Sequence, residues 1–164
     1  MTHAADEESG LDAWSALVAV YQSVLHDVVR ALEDDAGLDS GVFSALAYLT
    51  RADPPGRLPL GALQELMHPR YSQPGLSRLV QRMEADGLVE RRADPNDGRA
   101  TVLVMTRAGR TRFAKADAVY RAALRAEFGR HMTAAQARAL EAALRPVARG
   151  RAIRGVPSRT VRAG

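Results

Sequence analysis

The chain has 164 residues, 46% of them apolar and only 5% aromatic, with a formal net charge of +4. That length suits one domain or two small lobes sharing a core, and the few aromatics favour packed helices rich in Ala, Leu and Val over a β-sandwich. No cysteine is present, which removes disulfide, zinc-thiolate and thiol-redox chemistry and suits a cytoplasmic protein.

Residues 1–10 are polar and acidic, unlike a signal peptide, and read as a disordered leader. From Leu11 an apolar stripe runs through Trp14, Leu17, Val18, Tyr21, Val24, Leu25, Val28 and Leu32 at i, i+3, i+4, i+7 spacing. The stripe is longer than a lone surface helix needs, so it packs against other helices or another subunit. Its longest unbroken apolar run, residues 16–20, is far too short to span a bilayer. Gly37 breaks the pattern. Asp39 or Ser40 can cap a second helix through Val42, Phe43, Leu46, Ala47 and Leu49, which Asp53-Pro54-Pro55-Gly56 ends. Arg57-Leu58-Pro59 is a brief extended piece, and Leu60, Leu63, Leu66 and Met67 give a short third helix stopped at His68-Pro69.

Ser72 caps the fourth helix, Pro74 is tolerated in its first turn, and Gly87 is placed to close it. Leu76, Leu79, Val80 and Met83 form its buried face, so Gln73, Ser77, Arg78, Gln81 and Arg82 point elsewhere. Residues 88–93 and 100–106 flank the turn-rich Asp94-Pro95-Asn96-Asp97-Gly98, a hairpin pattern. Thr106 can cap a fifth helix over 107–128, carrying Phe113, Ala116, Tyr120 and Leu124 on one side. Thr133 and Gln136 form a capping box that opens a sixth, with the narrow stripe Ala137, Leu140, Leu144 and Val147. Residues 150–164 hold arginines and no acid and read as a mobile basic tail.

A helix with an exposed Ser/Gln/Arg face, running directly into a basic two-stranded hairpin, is a shape that grips DNA in two grooves at once. Of 23 basic residues only Lys115 is lysine, a bias that suits phosphate and guanine recognition but also follows from a GC-rich genome. Placement says more. Residues 70–110 carry eight arginines against Glu84, Asp86, Glu90, Asp94 and Asp97, a surplus of three positive charges.

The segment SQPGLSRLVQRMEADGLVERRADPNDGRATVLVMT, residues 72–106, resembles the winged helix-turn-helix of the MarR family of transcription regulators. Residues 77–91 look like that family's recognition helix entering its first wing strand. Asp97-Gly98-Arg99, followed by Val102-Leu103-Val104-Met105-Thr106 and Gly109, looks like its wing signature. An Asp-x-Arg alone carries no information; its distance behind this helix makes it specific. The resemblance covers roughly residues 11–148. One departure is the turn His68-Pro69-Arg70-Tyr71, which is slightly longer and holds a proline, leaving open the start and tilt of the fourth helix and the contacts of Gln73 and Pro74.

The resemblance implies a mainly α (α+β) fold. A winged helix-turn-helix over 37–106 with a two-stranded wing would join a helical dimerisation lobe built from 11–36 and 107–149. It implies a homodimer on a double-stranded DNA operator, each subunit placing its fourth helix in a major groove and its wing in the neighbouring minor groove. The operator would be palindromic, with half-sites about one helical turn apart. It also implies a small aromatic or phenolic effector, bound between the lobes, whose preference for one spacing of the recognition helices releases DNA, as a repressor would require.

On this reading Ser72, Gln73, Ser77 and Arg78 are the base-reading candidates, since the N-terminal part of a recognition helix reaches base edges. Arg78 has a plainer alternative, phosphate contact or an ion pair with Glu84 or Asp86. Arg82, Arg91 and Arg92 read as phosphate clamps, and alternation along a strand turns one of Arg91 and Arg92 away from DNA. Arg99 at the wing tip can enter a narrow minor groove. Asp97 either organises that arginine or serves turn chemistry. Trp14, Tyr21, His26, Phe43 and Tyr48 are candidate effector contacts, although Trp14, Tyr21 and Phe43 sit on apolar stripes as core residues do, and His26 reads more simply as a buried, hydrogen-bonded histidine. No histidine pair has helical ligand spacing, no cofactor motif appears, and no phosphate-binding loop, nucleophile elbow or metalloprotease motif is present, so neither a metal site nor an enzyme is expected. The second reading is a winged-helix interaction module that has lost specific DNA binding.

Overall fold

The computed structural model describes residues 2–68, 70–94 and 100–150, with side chains over 8–68, 70–94 and 100–148. Six α-helices and three strands follow in chain order: α1 Thr2–Asp34, α2 Ser40–Arg51, β1 Arg57–Pro59, α3 Leu60–Met67, α4 Gln73–Ala85, β2 Val89–Ala93, β3 Thr101–Met105, α5 Arg107–Glu127 and α6 Ala134–Gly150, with a 3-10 turn at Gly129–His131 before α6.

α1 begins at Thr2, so the segment expected as a disordered leader forms the first turns of the helix. Ala4, Ala5, Glu7 and Glu8 are good helix formers and no proline interrupts them. The basic tail expected over 150–164 lies outside the described residues beyond Gly150.

Local chemistry explains the helix starts. Asp39 caps α2, its Oδ1 accepting from the Gly41 and Val42 amides at 2.9 and 3.1 Å. Ser72 caps α4 by accepting from the Gly75 amide at 3.3 Å. At α6 the box is reciprocal, with Thr133 N donating to Gln136 Oε1 at 2.8 Å and Gln136 N to Thr133 Oγ1 at 3.2 Å. α4 ends at Gly87, whose φ of +67° is the left-handed conformation that favours glycine. Gly87 N donates to the Glu84 carbonyl and Leu88 N to that of Met83, both at 2.9 Å, which satisfies two orphan carbonyls of the last turn.

The sheet has the order β1-β3-β2 and is antiparallel throughout. β2 and β3 pair from Val89↔Met105 to Ala93↔Thr101, giving the expected hairpin. The extended piece Arg57–Pro59 adds a third strand, with Arg57 opposite Val104 and Pro59 opposite Val102. Pro59 is tolerated because β1 is an edge strand.

One core runs through the middle of the chain. Leu46, Leu49, Leu63, Val80, Met83 and Leu103 are fully enclosed, joined by Val28 and Leu32 of α1 and Ala116 of α5. Phe43 lies in it, stacked on Phe113 with centroids 5.5 Å apart and tilted against Tyr120 at 4.8 Å. The outer parts of α1 and α6 are different. Trp14 is 64% exposed, Tyr21 58% and Val147 56%. No described side chain of α6 is buried.

Candidate nucleic-acid interface

α4 presents two faces. Leu76, Leu79, Val80 and Met83 are buried, while Gln73, Ser77, Arg78, Gln81 and Arg82 are exposed. The separation follows from helical period, since the two sets never share an i, i+4 row. Ser72 is exposed and already spends one lone pair on its cap, leaving its hydroxyl proton free for a further acceptor.

The entry to α4 is fixed by Tyr71. A Cβ placed on Gly41 would overlap the Tyr71 hydroxyl, and another on Gly75 would sit 3.7 Å from Tyr71 Cδ1. The absence of a side chain at Gly41 therefore lets the ring lie against α2, beside the start of α4. Pro69, in the same turn, lies outside the described residues.

The exit from α4 is latched to the foot of the hairpin. Thr106 Oγ1 donates to the Gly87 carbonyl at 2.7 Å and accepts from Gly109 N at 2.9 Å, so one hydroxyl caps α5 and holds the turn after α4. Gly109 passes so close to this turn that an added Cβ would overlap the Leu88 carbonyl oxygen. Arg110 adds an Nη1–H bond of 2.9 Å to the Met105 carbonyl.

The expected phosphate clamps are each engaged by a carboxylate. Arg82 Nη2 lies 3.1 Å from Asp39 Oδ1, Arg91 Nε 2.8 Å from Glu84 Oε2, and Arg92 Nη2 2.7 Å from Glu90 Oε2. Arg91 turns back over the end of α4, and Arg92, its neighbour in the strand, pairs within β2. Arg78 makes no ion pair among the described residues, and Glu84, one of the partners considered for it, belongs to Arg91. The pairing of Asp39 with Arg82 has no local signal, because α2 and α4 meet only in the folded chain. Glu84 with Arg91 and Glu90 with Arg92 lie close enough in sequence for their charge pattern to have suggested them. Asp97 and Arg99, at the wing tip, lie outside the described residues.

The candidate effector contacts are scattered. Trp14 and Tyr21 lie on the exposed side of α1, Phe43 is in the core, and Tyr48 is half-buried against it. His26, expected to be buried and hydrogen-bonded, is exposed instead. At 100° per residue it stands well away from Val28 and Leu32, which face the core. The Tyr120 phenol, which the sequence did not single out for chemistry, titrates above its ordinary value. Burial is the main cause, helped by Asp117 and Tyr21 and opposed by Arg51 and Arg121.

Open clefts among the described residues lie elsewhere, and none of these five residues lines either of two such clefts. One, of about 620 Å³, runs between α1 and α5 past Asp27, Arg30 and Glu127. The other, of about 1000 Å³, lies where the start of α2, the end of α4 and the start of α5 meet, among Arg82, Arg107, Arg112 and Lys115. Arg112 Nη2 there donates to the Gly37 carbonyl at 2.6 Å. Among the described residues no group of histidines and acids could hold a metal ion, and no helix is long and apolar enough to cross a membrane.

The sequence profile of the MarR family matches residues 36–100. No curated protein matches the chain at the sequence level. Among solved structures, the chain is similar to AbsC, a MarR family transcriptional regulator from Streptomyces coelicolor, at 24% identity and a TM-score of 0.73, over 87% of this chain and 93% of that one. It is similar to Sco3205, a MarR family regulator from the same organism solved in complex with DNA, at 24% identity and a TM-score of 0.71, over 89% and 90% of the two chains. An organohalide-sensing transcriptional regulator solved with 2,4-dichlorophenol bound is similar at 18% identity and a TM-score of 0.66, over 84% and 78%.

Proposed function

With a MarR-family winged helix at residues 36–100 as the premise, we propose that the chain is a DNA-binding transcription regulator that works as a homodimer on a palindromic operator. The observation that carries this reading is α4: an exposed Gln73/Ser77/Arg78/Gln81 face, held at its entry by Tyr71 and at its exit by Thr106. A recognition element must present polar groups on a rigid support, and this helix does. Ser72, Gln73, Ser77 and Arg78 read bases; Arg82, Arg91 and Arg92 meet phosphates; Arg99, organised by Asp97, enters the minor groove.

The exposed apolar residues of α1 and α6 support the dimer. An isolated protomer would leave Trp14, Tyr21, Leu144 and Val147 in water, whereas pairing the terminal helices with a second copy buries them. In this division 11–36 and 107–149 form the dimerisation lobe and 37–106 the DNA-binding one. A small aromatic or phenolic effector that prefers one separation of the two α4 helices makes the protein a ligand-responsive repressor. Trp14, Tyr21 and His26 are the lining candidates exposed on the single protomer.

The test is fluorescence anisotropy with the duplex immediately upstream of the protein's own gene, against a scrambled duplex, at two salt concentrations. Preference for the native duplex that survives added salt is expected. Arg78→Ala should lower that preference by about 1–3 kcal/mol, the discrimination carried by a good side chain–base contact. Equal, salt-abolished binding to both, also with the promoter DNA of neighbouring genes, would leave a winged-helix interaction module in its place.

A further inference from the structure

The carboxylates that engage Arg82, Arg91 and Arg92 divide the cationic groups of this face into two classes. The arginines suited to phosphate are held in ion pairs of 2.7 to 3.1 Å, while Arg78, on the base-reading face, has no such partner among the described residues. From this division we propose that Asp39, Glu84 and Glu90 are specificity-determining residues that hold back the sequence-blind part of DNA affinity. The proposal rests on the DNA-binding reading above.

Phosphate contacts are the same on every duplex, so free arginines raise binding to all sequences alike. A tethered arginine behaves differently. Each pair is at the surface, with the Asp39–Arg82 side chains 45% and 52% exposed, so it is weak enough to be exchanged for a phosphate oxygen. That exchange needs the phosphate to be seated in place, which happens when α4 is in register with its bases. A loose encounter leaves the pairs closed and makes fewer phosphate contacts. The three carboxylates are spread over the elements that approach the duplex: Asp39 at the start of α2, Glu84 in the last turn of α4, and Glu90 on β2. Both α4 and the first wing strand therefore carry arginines under the same restraint.

The experiment uses the full chain. The wild-type protein selects its preferred duplex from a random-sequence pool. Wild type and D39N/E84Q/E90Q are then titrated by anisotropy against that duplex and a scrambled one over a salt series. Asparagine retains the capping oxygen of Asp39, so α2 keeps its N-cap while the charge is lost. The control D117N/E141Q neutralises the paired carboxylates of α5 and α6, away from α4 and the wing. Scrambled-duplex affinity of the triple variant is expected to rise about tenfold near physiological salt, from three weak pairs released together. Its log–log salt slope should steepen by up to ~0.9 per arginine released. The selected duplex should gain less, so the ratio falls, and the control should keep the wild-type ratio. An unchanged ratio and slope, with helicity intact by circular dichroism, would overturn the proposal alone, as would an equal loss of discrimination in the control. If the wild type enriches no sequence, the DNA-binding reading fails and the proposal falls with it.

Discussion

At the scale of the residue, the most informative positions are those where a small or half-buried group settles a larger arrangement. Gly109 has a negative φ, so its need for glycine comes from space: the Leu88 carbonyl occupies the place of a Cβ. Gly109→Ala should cost about 1–3 kcal/mol, the usual penalty for forcing atoms into a packed site, read by urea denaturation. A loss below a few tenths would mean that the start of α5 shifts freely away from the hairpin. Tyr120 gives a pH dependence. Its folded pKa is raised, mainly by burial, so between the unfolded value near 10 and the folded one the native state holds more protons. Stability from this group is present below pH 10 and lost as pH rises through the folded value. Tyr120→Phe should flatten that alkaline decline in chemical denaturation between pH 8 and 11, and a decline of unchanged steepness would assign it to other groups. Some residue roles could be read from the chain and others could not. The caps at Ser72, Thr106 and Thr133 are local, because donor and acceptor lie within three positions. Asp39 was legible as a cap but not as the partner of Arg82, since that contact depends on how α2 and α4 cross. His26 shows the opposite error: proximity in sequence to an apolar stripe suggested burial, and the rotation of α1 put the ring outside.

At the scale of the element, the apolar period fixed helix existence well and helix ends where a cap was present. α2, α4 and α6 start at the expected caps, and α4 ends at Gly87, because these signals act through a few neighbouring hydrogen bonds. The start of α1 carried no such signal, and the helix continues through the acidic segment to Thr2. The pairing of the third strand with the wing also has no local signal. Arg57–Pro59 is too short for alternation to register, and its pairing with β3 is a tertiary event that draws the chain before α3 onto the hairpin. Thr106 links these elements, which makes it a test of their coupling. Thr106→Ala removes the α5 cap and the bond to Gly87 together, and about 1–2 kcal/mol of stability should go with them. Amide exchange should rise across 89–93 and 101–105 if the hydroxyl steadies the wing. Faster exchange confined to the first turn of α5 would reduce Thr106 to a simple cap.

At the scale of the whole molecule, the protomer is well packed in its middle and open at its outer helices. The core joins α2, α3, α4 and the sheet to the inner halves of α1 and α5, while the apolar stripe of α6 and the outer half of α1 stay exposed. A second copy covering them makes assembly and stability one equilibrium. Sedimentation should therefore give a dimer, and Leu144→Asp with Val147→Asp should shift it toward monomer and lower the melting temperature. A monomeric wild type of unaltered stability would sink the dimer proposal. The sequence by itself determined that the helices form, the caps of α2, α4, α5 and α6, the hairpin, the two faces of α4 and the family resemblance of the middle segment. Each of these rests on periodicity or on contacts between near neighbours, which amino-acid order encodes directly. Only the tertiary structure decided that β1 completes the sheet, that Tyr71 lies on Gly41, that His26 faces outward and that Asp39 holds Arg82. Those outcomes depend on the crossing and rotation of elements far apart in the chain, which the shared core sets and no local pattern records.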